Sequence, residues 1–343
     1  LGVNFKTTQI DMQKSRILGV GHYVPERTVT NNELSEMMNT NNEWIVERTG
    51  IESRHWFTPG VDTVTSMSKN ASEMAMKRAG VQASEIDFIV FATITPDYFI
   101  PGNGVLLQRE LGMGTIGALD IRNACSGFIY ALSIADQFIK TGMYKKILVV
   151  GAEIQSSALD KSDEGRSSSV IFADGAGAAV LGAVESDQPG ILTTHLHSQG
   201  EHAEELYCKD PGSSREVRLS PELIESGSFF LKMNGNTVFK HAVVRFMEVI
   251  KEALDANQLE QSAIDLLVPH QANLRISQYI QKQLGLPDEK VFNNIMTKGN
   301  TTAATIPIAL SEAWEQGRIK EGDLICLAAF GSGFTWASAL LQW

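Results

Sequence analysis

Cysteine is scarce in this chain. Cys125, Cys208 and Cys326 are its only three in 343 residues, an odd and scattered set that suits a reducing compartment better than a disulfide framework. Positive charge is also short: 29 Lys and Arg stand against 40 Asp and Glu, a net charge of −11. That balance excludes general nucleic-acid binding, because phosphate contacts need clustered basic residues. It leaves room for an acidic partner on a local basic patch. Long apolar runs are missing, and stretches such as "LICLAAF" fall far short of the ~20 residues of a membrane span. The opening "LGVNFKTTQIDMQKS" has no apolar core of the signal-peptide kind, and residues 1–11, before Met12, read as an N-terminal extension. A cytoplasmic chain with no membrane insertion is expected. No low-complexity or Pro-rich linker divides it; the polar region 185–228 comes nearest.

What is present is repetition. "SEIDFIV" at 84–90 reappears as "SAIDLLV" at 262–268, and "YALSIADQF" from Tyr130 reappears as "IALSEAWEQ" from Ile308. Both pairs share one offset: 264 − 86 = 178 and 308 − 130 = 178. Two matches at one spacing imply two copies of one supersecondary unit. "SMSKNASEMAMKRAG" and "VVRFMEVIKEALDAN" carry apolar residues at helical spacing, and "KKILVVGAE" and "GDLICLAAFGSG" are apolar runs of strand length ending in glycine. Buried strands alternating with helices imply α/β layers, with mainly parallel pairing expected.

Chemistry is expected where the copies differ. Cys125, in "IRNACSGFIYALSIADQF", aligns with Ala303, and His270, in "VPHQANLRI", aligns with Ala92. Cys125 stands where a helix opens near Ser126; a helix N-terminus favours thiolate, and the small neighbours Ala124, Ser126 and Gly127 would admit a thioester. An inert buried cysteine is the plain alternative. His270 follows a strand and Asn300 lies in "KGNTTAATIP"; a packed histidine and an ordinary capping residue are the corresponding plain readings. A Cys-His-Asn set also serves papain-like proteases, but their flanking motifs are absent and a duplicated α/β layout does not suit them.

At this point the sequence resembles the β-ketoacyl-[acyl-carrier-protein] synthases of type III, among the thiolase-fold condensing enzymes. The similarity is carried by "ILGVGHYVPERTVTNNEL", "NNEWIVERTGIESRH", "ACSGFIYAL", "FADGAGAAVLG", "KMNGNTVFKHAV", "PHQANLRI", "GNTTAATIP" and "AFGSGFTWASALL", in order, over almost everything after Met12. It implies a thiolase-like α/β fold of two pseudo-duplicated halves, 12–186 and 187–343, layered α-β-α-β-α. It implies a decarboxylating condensation of an acyl-CoA primer with malonyl-acyl carrier protein, with Cys125 as nucleophile and His270 and Asn300 completing a triad. The backbone N–H groups of Cys125 and Ser332 would form the oxyanion hole. Ser332 departs from the family's usual middle glycine in that loop, which puts backbone conformation and space in question but not the N–H donor.

The same resemblance implies Trp44, Arg48 and Arg166 at the CoA adenine and phosphates, and Gly235, Phe239 and Asn273 along the pantetheine channel. It implies a homodimer with "TPDYFIPGNG" at or near the interface and Ile100 reaching the neighbouring subunit's acyl pocket. Lys240, Arg275 and Lys282 are expected to dock the acidic carrier protein; the plain reading is solvated surface charge. No metal or cofactor is expected. His195, His197 and His202 in "HLHSQGEHAEE" read as a polar strand and loop rather than a zinc site. Cys326 reads as core packing, and Cys208 is given no role. Two other readings compete: a type III relative from a specialised pathway, and a catalytically silent partner subunit that only shapes an acyl pocket.

Overall fold

The computed structural model describes residues 13–343; the segment 1–11, read above as an extension, lies outside that range. Five strands form a first sheet: β1 (Lys14–Tyr23), β2 (Phe88–Ala92), β3 (Gly117–Ile121), β4 (Lys146–Ile154) and β5 (Asp174–Val184). They lie side by side as β1-β5-β4-β2-β3. A second sheet holds β6 (Ile191–Ser198), β7 (Leu266–Pro269), β8 (Leu324–Gly331) and β9 (Thr335–Gln342), ordered β7-β8-β9-β6. One step of 178 carries the first residue of β2 onto that of β7, and the first residue of β4 onto that of β8. Where β3 would recur, a single parallel bridge joins Leu267 to Val291.

The expectation of mainly parallel pairing is corrected. β2 pairs in parallel with β3 and β4, and β7 with β8. The pairs β1–β5, β4–β5, β8–β9 and β6–β9 are antiparallel. The reason is plainest at β8–β9, where only residues 332–334 intervene: so short a connection allows antiparallel return alone, whereas a parallel pair needs a long crossover.

Five helices make the layers: α1 (Val64–Ala79), α2 (Gly127–Lys140), α3 (Gly235–Ala256), α4 (Leu274–Leu284) and α5 (Thr305–Glu315). Their ends are written locally. Thr63 and Ser66 form a capping box before α1, and Gly80 closes it at φ 65. Asn273 caps α4 and Gly285 ends it at φ 63. Alternate residues of each central strand then enter different cores. Ile147 and Val149 of β4 join Ile325, Leu327 and Ala329 of β8 in a middle core with α2 and α5. Leu148, Val150 and Ala152 face α1 on one outside, and Cys326, Ala328 and Phe330 face α3 and α4 on the other. The result is the α-β-α-β-α stack, with α2 and α5 buried between the sheets.

Candidate active site

Two sharp turns begin the middle-layer helices. Ala124 has φ 44 before Cys125, and Thr302, 178 residues later, has φ 54 before Ala303. Neither is glycine, so each turn holds a side chain in the sparsely populated left-handed region. Ser126 ties the first turn to the other half by donating from Oγ to the Thr335 carbonyl at 3.0 Å. The small residues at this turn pack closely against both halves. A Cβ on Gly127 would stand 3.1 Å from that of Ala92 and 3.4 Å from that of Ala303. Ala124 and Ser126 are buried, and the tightest approach to the cysteine comes from Gly331, where an added Cβ would lie 2.6 Å from Cys125 Cβ.

Cys125, His270 and Asn300 line one cavity of about 630 Å³. The thiol is buried, and that burial pushes its pKa up to about 12, with the carboxylate of Glu153 adding to the rise. The backbone N–H groups of Cys125 and Ser332 pull the other way by bonding the sulfur. Desolvation and the neighbouring carboxyl group outweigh the two N–H donors, which is opposite in direction to the expected thiolate preference. Glu153 is itself pushed up to about 8 by burial, against bonds from Thr93 Oγ1, Ile94 N and Thr95 Oγ1.

His270 is fixed at the end of β7, where its N–H bonds the Ala328 carbonyl of β8 at 2.8 Å. Its Nδ1 stands 2.6 Å from Thr305 Oγ1, and its Nε2 is buried with no protein partner. Burial lowers its pKa to about 3, so the ring is neutral. Asn300 is held between the halves: its N–H donates to the Ile171 carbonyl and its carbonyl accepts from Ala173 N, each at 2.9 Å. Thr302 N–H donates to Asn300 Oδ1 at 2.8 Å. That bond identifies the amide oxygen and leaves Nδ2 as the group with protons to offer.

Ser332 fits its place. The left-handed backbone in this loop falls on Gly333, at φ 133, and not on Ser332, whose hydroxyl turns away to the Leu206 carbonyl. The cavity wall also includes Trp44, Arg48, Gly235, Phe239, Lys240, Asn273 and Arg275. Trp44 packs against two guanidinium groups, Arg48 at 4.4 Å and Arg166 at 4.8 Å from the ring centroid, while Arg166 also donates to the Asn39 carbonyl. Asn273 has its side chain engaged already: Oδ1 accepts from Arg275 N and Nδ2 donates to the Arg48 carbonyl. Lys282 is exposed in the last turn of α4 and is not part of the cavity wall.

Ile100 lies 79% exposed beside the exposed Tyr98 and Phe99, outside this cavity. His197 bonds Glu252 at 2.6 Å, and His195 Nδ1 lies 3.3 Å from the same carboxyl group. Cys326 is fully buried in the outer core of the second sheet. Sequence reading passed over Thr305, Glu153 and Gly331. Only Gly331 had a local signal, as the first glycine of "GSG"; the other two matter through neighbours far away along the chain.

Two sheets sandwiching a pair of buried helices, with the cavity opening at their N-terminal turns, define a thiolase-fold condensing enzyme. The family model described as 3-oxoacyl-[acyl-carrier-protein (ACP)] synthase III matches residues 119–200, and its C-terminal counterpart matches 254–343. The chain is 46% identical to the β-ketoacyl-[acyl-carrier-protein] synthase III of Rhodospirillum centenum, covering 96% of this chain and 99% of that protein. It is 44% identical to that of Methylococcus capsulatus over 96% and 99%. The crystal structure of the Aquifex aeolicus 3-oxoacyl-[acyl-carrier-protein] synthase III superposes with a TM-score of 0.88 at 40% identity, covering 96% of this chain and all of the other. The priming β-ketosynthase of the R1128 polyketide pathway superposes at 0.87 with 34% identity, each chain 97% covered. The chain belongs to the β-ketoacyl-[acyl-carrier-protein] synthase III family, and it is an acyltransferase of the condensing kind.

Proposed function

We propose that this enzyme initiates fatty-acid synthesis by condensing an acyl-CoA primer, acetyl-CoA or a similar one, with malonyl-acyl carrier protein. The observation that carries this reading is the meeting of Cys125, His270 and Asn300 in one cavity of a family member. Cys125 sulfur attacks the primer carbonyl; its proton leaves with CoA thiolate, and an acyl thioester remains on the enzyme. The N–H groups of Cys125 and Ser332 hold the tetrahedral oxyanion, and removing such a donor costs ~3 kcal/mol. Malonyl thioester then loses carbon dioxide, and the electrons of the broken bond form an enolate. His270 Nε2–H and Asn300 Nδ2–H donate to its oxygen. The enolate carbon attacks the Cys125 thioester, forming the β-ketoacyl product and returning the sulfur to take up a proton. The malonyl thioester is its own electron sink, so no metal or cofactor is assigned.

In this reading Trp44, Arg48 and Arg166 receive the CoA nucleotide, with Gly235, Phe239 and Asn273 along the channel. Lys240 and Arg275 meet the carrier protein at the rim, with Lys282 on the same helix as Arg275. The enzyme acts as a cytoplasmic homodimer in which Ile100 enters the neighbouring acyl pocket, and residues 12–186 and 187–343 are its two halves. Among the described residues no helix is long and apolar enough to cross a membrane.

Asn300→Ala tests the reading. It should still accept radiolabelled acetyl groups on Cys125, yet release carbon dioxide from malonyl-acyl carrier protein ~10²-fold more slowly or worse. Unchanged carbon dioxide release would remove the enolate role. The resemblance to the R1128 priming enzyme favours a second reading, a priming enzyme of a specialised pathway. A panel of acyl-CoA primers with wild type distinguishes the two, since preference for a longer or branched primer over acetyl-CoA would support the second.

A further inference from the structure

The hydrogen-bond partner of His270 has no part in the mechanism so far. Thr305 begins α5 and is 2% exposed. Its Oγ1 lies 2.6 Å from His270 Nδ1 and 3.1 Å from the Thr302 carbonyl. A hydroxyl has one proton, so it donates to only one of these neighbours. If the carbonyl takes it, Nδ1 must carry the ring proton and Nε2 is bare. If Nδ1 takes it, Nε2 carries the proton and faces the cavity as a donor. The neutral ring has one proton to place, and the two arrangements give opposite chemistry at Nε2.

The condensing reading selects the second arrangement, because only that one makes Nε2, which has no protein partner, a donor. The Nδ1 contact, at 2.6 Å, is short enough for the hydroxyl to donate across it. The Thr302 carbonyl, for its part, already accepts the backbone N–H of Thr305 and is not orphaned when the hydroxyl turns away. We propose that Thr305 is a positioning residue whose hydroxyl donates to His270 Nδ1 and fixes the neutral ring as the Nε2–H tautomer, aimed at the malonyl thioester oxygen. Thr302 makes the matching arrangement for the other donor, since its N–H holds Asn300 Oδ1. One turn, 302–305, thus orients both donors. The inference rests on the condensing reading above. Thr305 itself neither gains nor loses a proton over the cycle.

The test uses Thr305→Val, which keeps shape and removes the hydroxyl, and Thr305→Ser, which restores it. Carbon dioxide release from malonyl-acyl carrier protein should fall roughly 10- to 100-fold in the Val variant, as expected when a buried hydrogen bond that orients a transition-state donor is lost. Acylation of Cys125 by acetyl-CoA should change by less than about threefold in the same variant, and Ser should recover decarboxylation. Nitrogen-15 NMR of the resting wild-type enzyme, with the His270 signal assigned by its loss in His270→Asn, should show Nε2 protonated. A protonated Nδ1 in that spectrum overturns the proposal, and so does a Val variant that decarboxylates like wild type. Equal loss of both half-reactions without rescue by Ser would show a purely structural residue, and also overturns it. If wild type acylates but never decarboxylates malonyl-acyl carrier protein, the condensing reading fails, whereas the tautomer seen in the resting enzyme is judged by the spectrum alone.

Discussion

Cys125 and Ala303 occupy the same turn of the two halves, each after a residue held at positive φ. Only Cys125 reaches the cavity; Ala303 is 1% exposed in the middle core. Gly331, beside Cys125, corresponds to Glu153 at the offset of 178, and the Glu153 carboxyl bonds Thr93, Ile94 and Thr95 instead. Gly151 packs on Ala303 so closely that a Cβ there would stand 2.6 Å from the Ala303 carbonyl. Duplication supplied two strained turns, each packed against a glycine, and of the two residues only Cys125 lines the cavity.

The largest expected effect breaks the comparison outright. Cys125→Ala should abolish acyl-enzyme formation and lower condensation by about 10³-fold or more. Adding Ala303→Cys to that variant should not restore an acyl adduct by mass spectrometry, since the second turn has no cavity before it. An adduct at position 303 would show that the turn alone suffices.

A smaller effect is expected from volume. Gly331→Ala puts a Cβ 3.2 Å from Cys125 Sγ and closer still to its Cβ, so acylation should fall ~10²-fold with the fold retained in circular dichroism. Acylation at the wild-type rate would mean the loop relaxes freely.

Stability separates the outer cores. Leu148 and Cys326 are equivalent, fully buried residues on the outer faces of β4 and β8. Leu148→Ala should cost about 2–5 kcal/mol in urea unfolding. Cys326→Ala removes one sulfur and should cost about 1 kcal/mol. Equal costs would show that the two faces are not packed alike.

The last effect concerns pH. Burial raises the Glu153 carboxyl from 4.5 to about 8. Between those values the native chain keeps a proton that the unfolded chain has released, so this group lowers stability as pH rises through the window and adds nothing further above it. From pH 4.5 to 8, Glu153→Gln should lose less stability, or gain more, than wild type as pH rises. A wild-type slope in the variant would mean that Glu153 titrates normally.

The repeat was legible because strands must bury both faces: "SEIDFIV" and "SAIDLLV" retain apolar residues wherever the two sheets present equivalent walls. Cys125, His270 and Asn300 were legible through the motifs around them. Thr305 was not, since its importance is a 2.6 Å contact across 35 residues. Glu153 reads as an ordinary strand-end acid, and only its total burial makes it unusual. Strand direction was misjudged because helix-strand alternation says nothing of a return as short as 332–334.

The sequence by itself determined the two copies, the helix ends at Thr63, Gly80, Asn273 and Gly285, and the motifs that hold Cys125, His270 and Asn300. Each of these is a local matter of side-chain period, capping group or chemical type. The tertiary structure alone decided that Cys125 is a desolvated thiol, that Gly331 opens the space before it, and that Thr302 and Thr305 orient Asn300 and His270. Burial and hydrogen-bond direction belong to the surroundings of a residue, and here those surroundings are assembled from both halves of the chain.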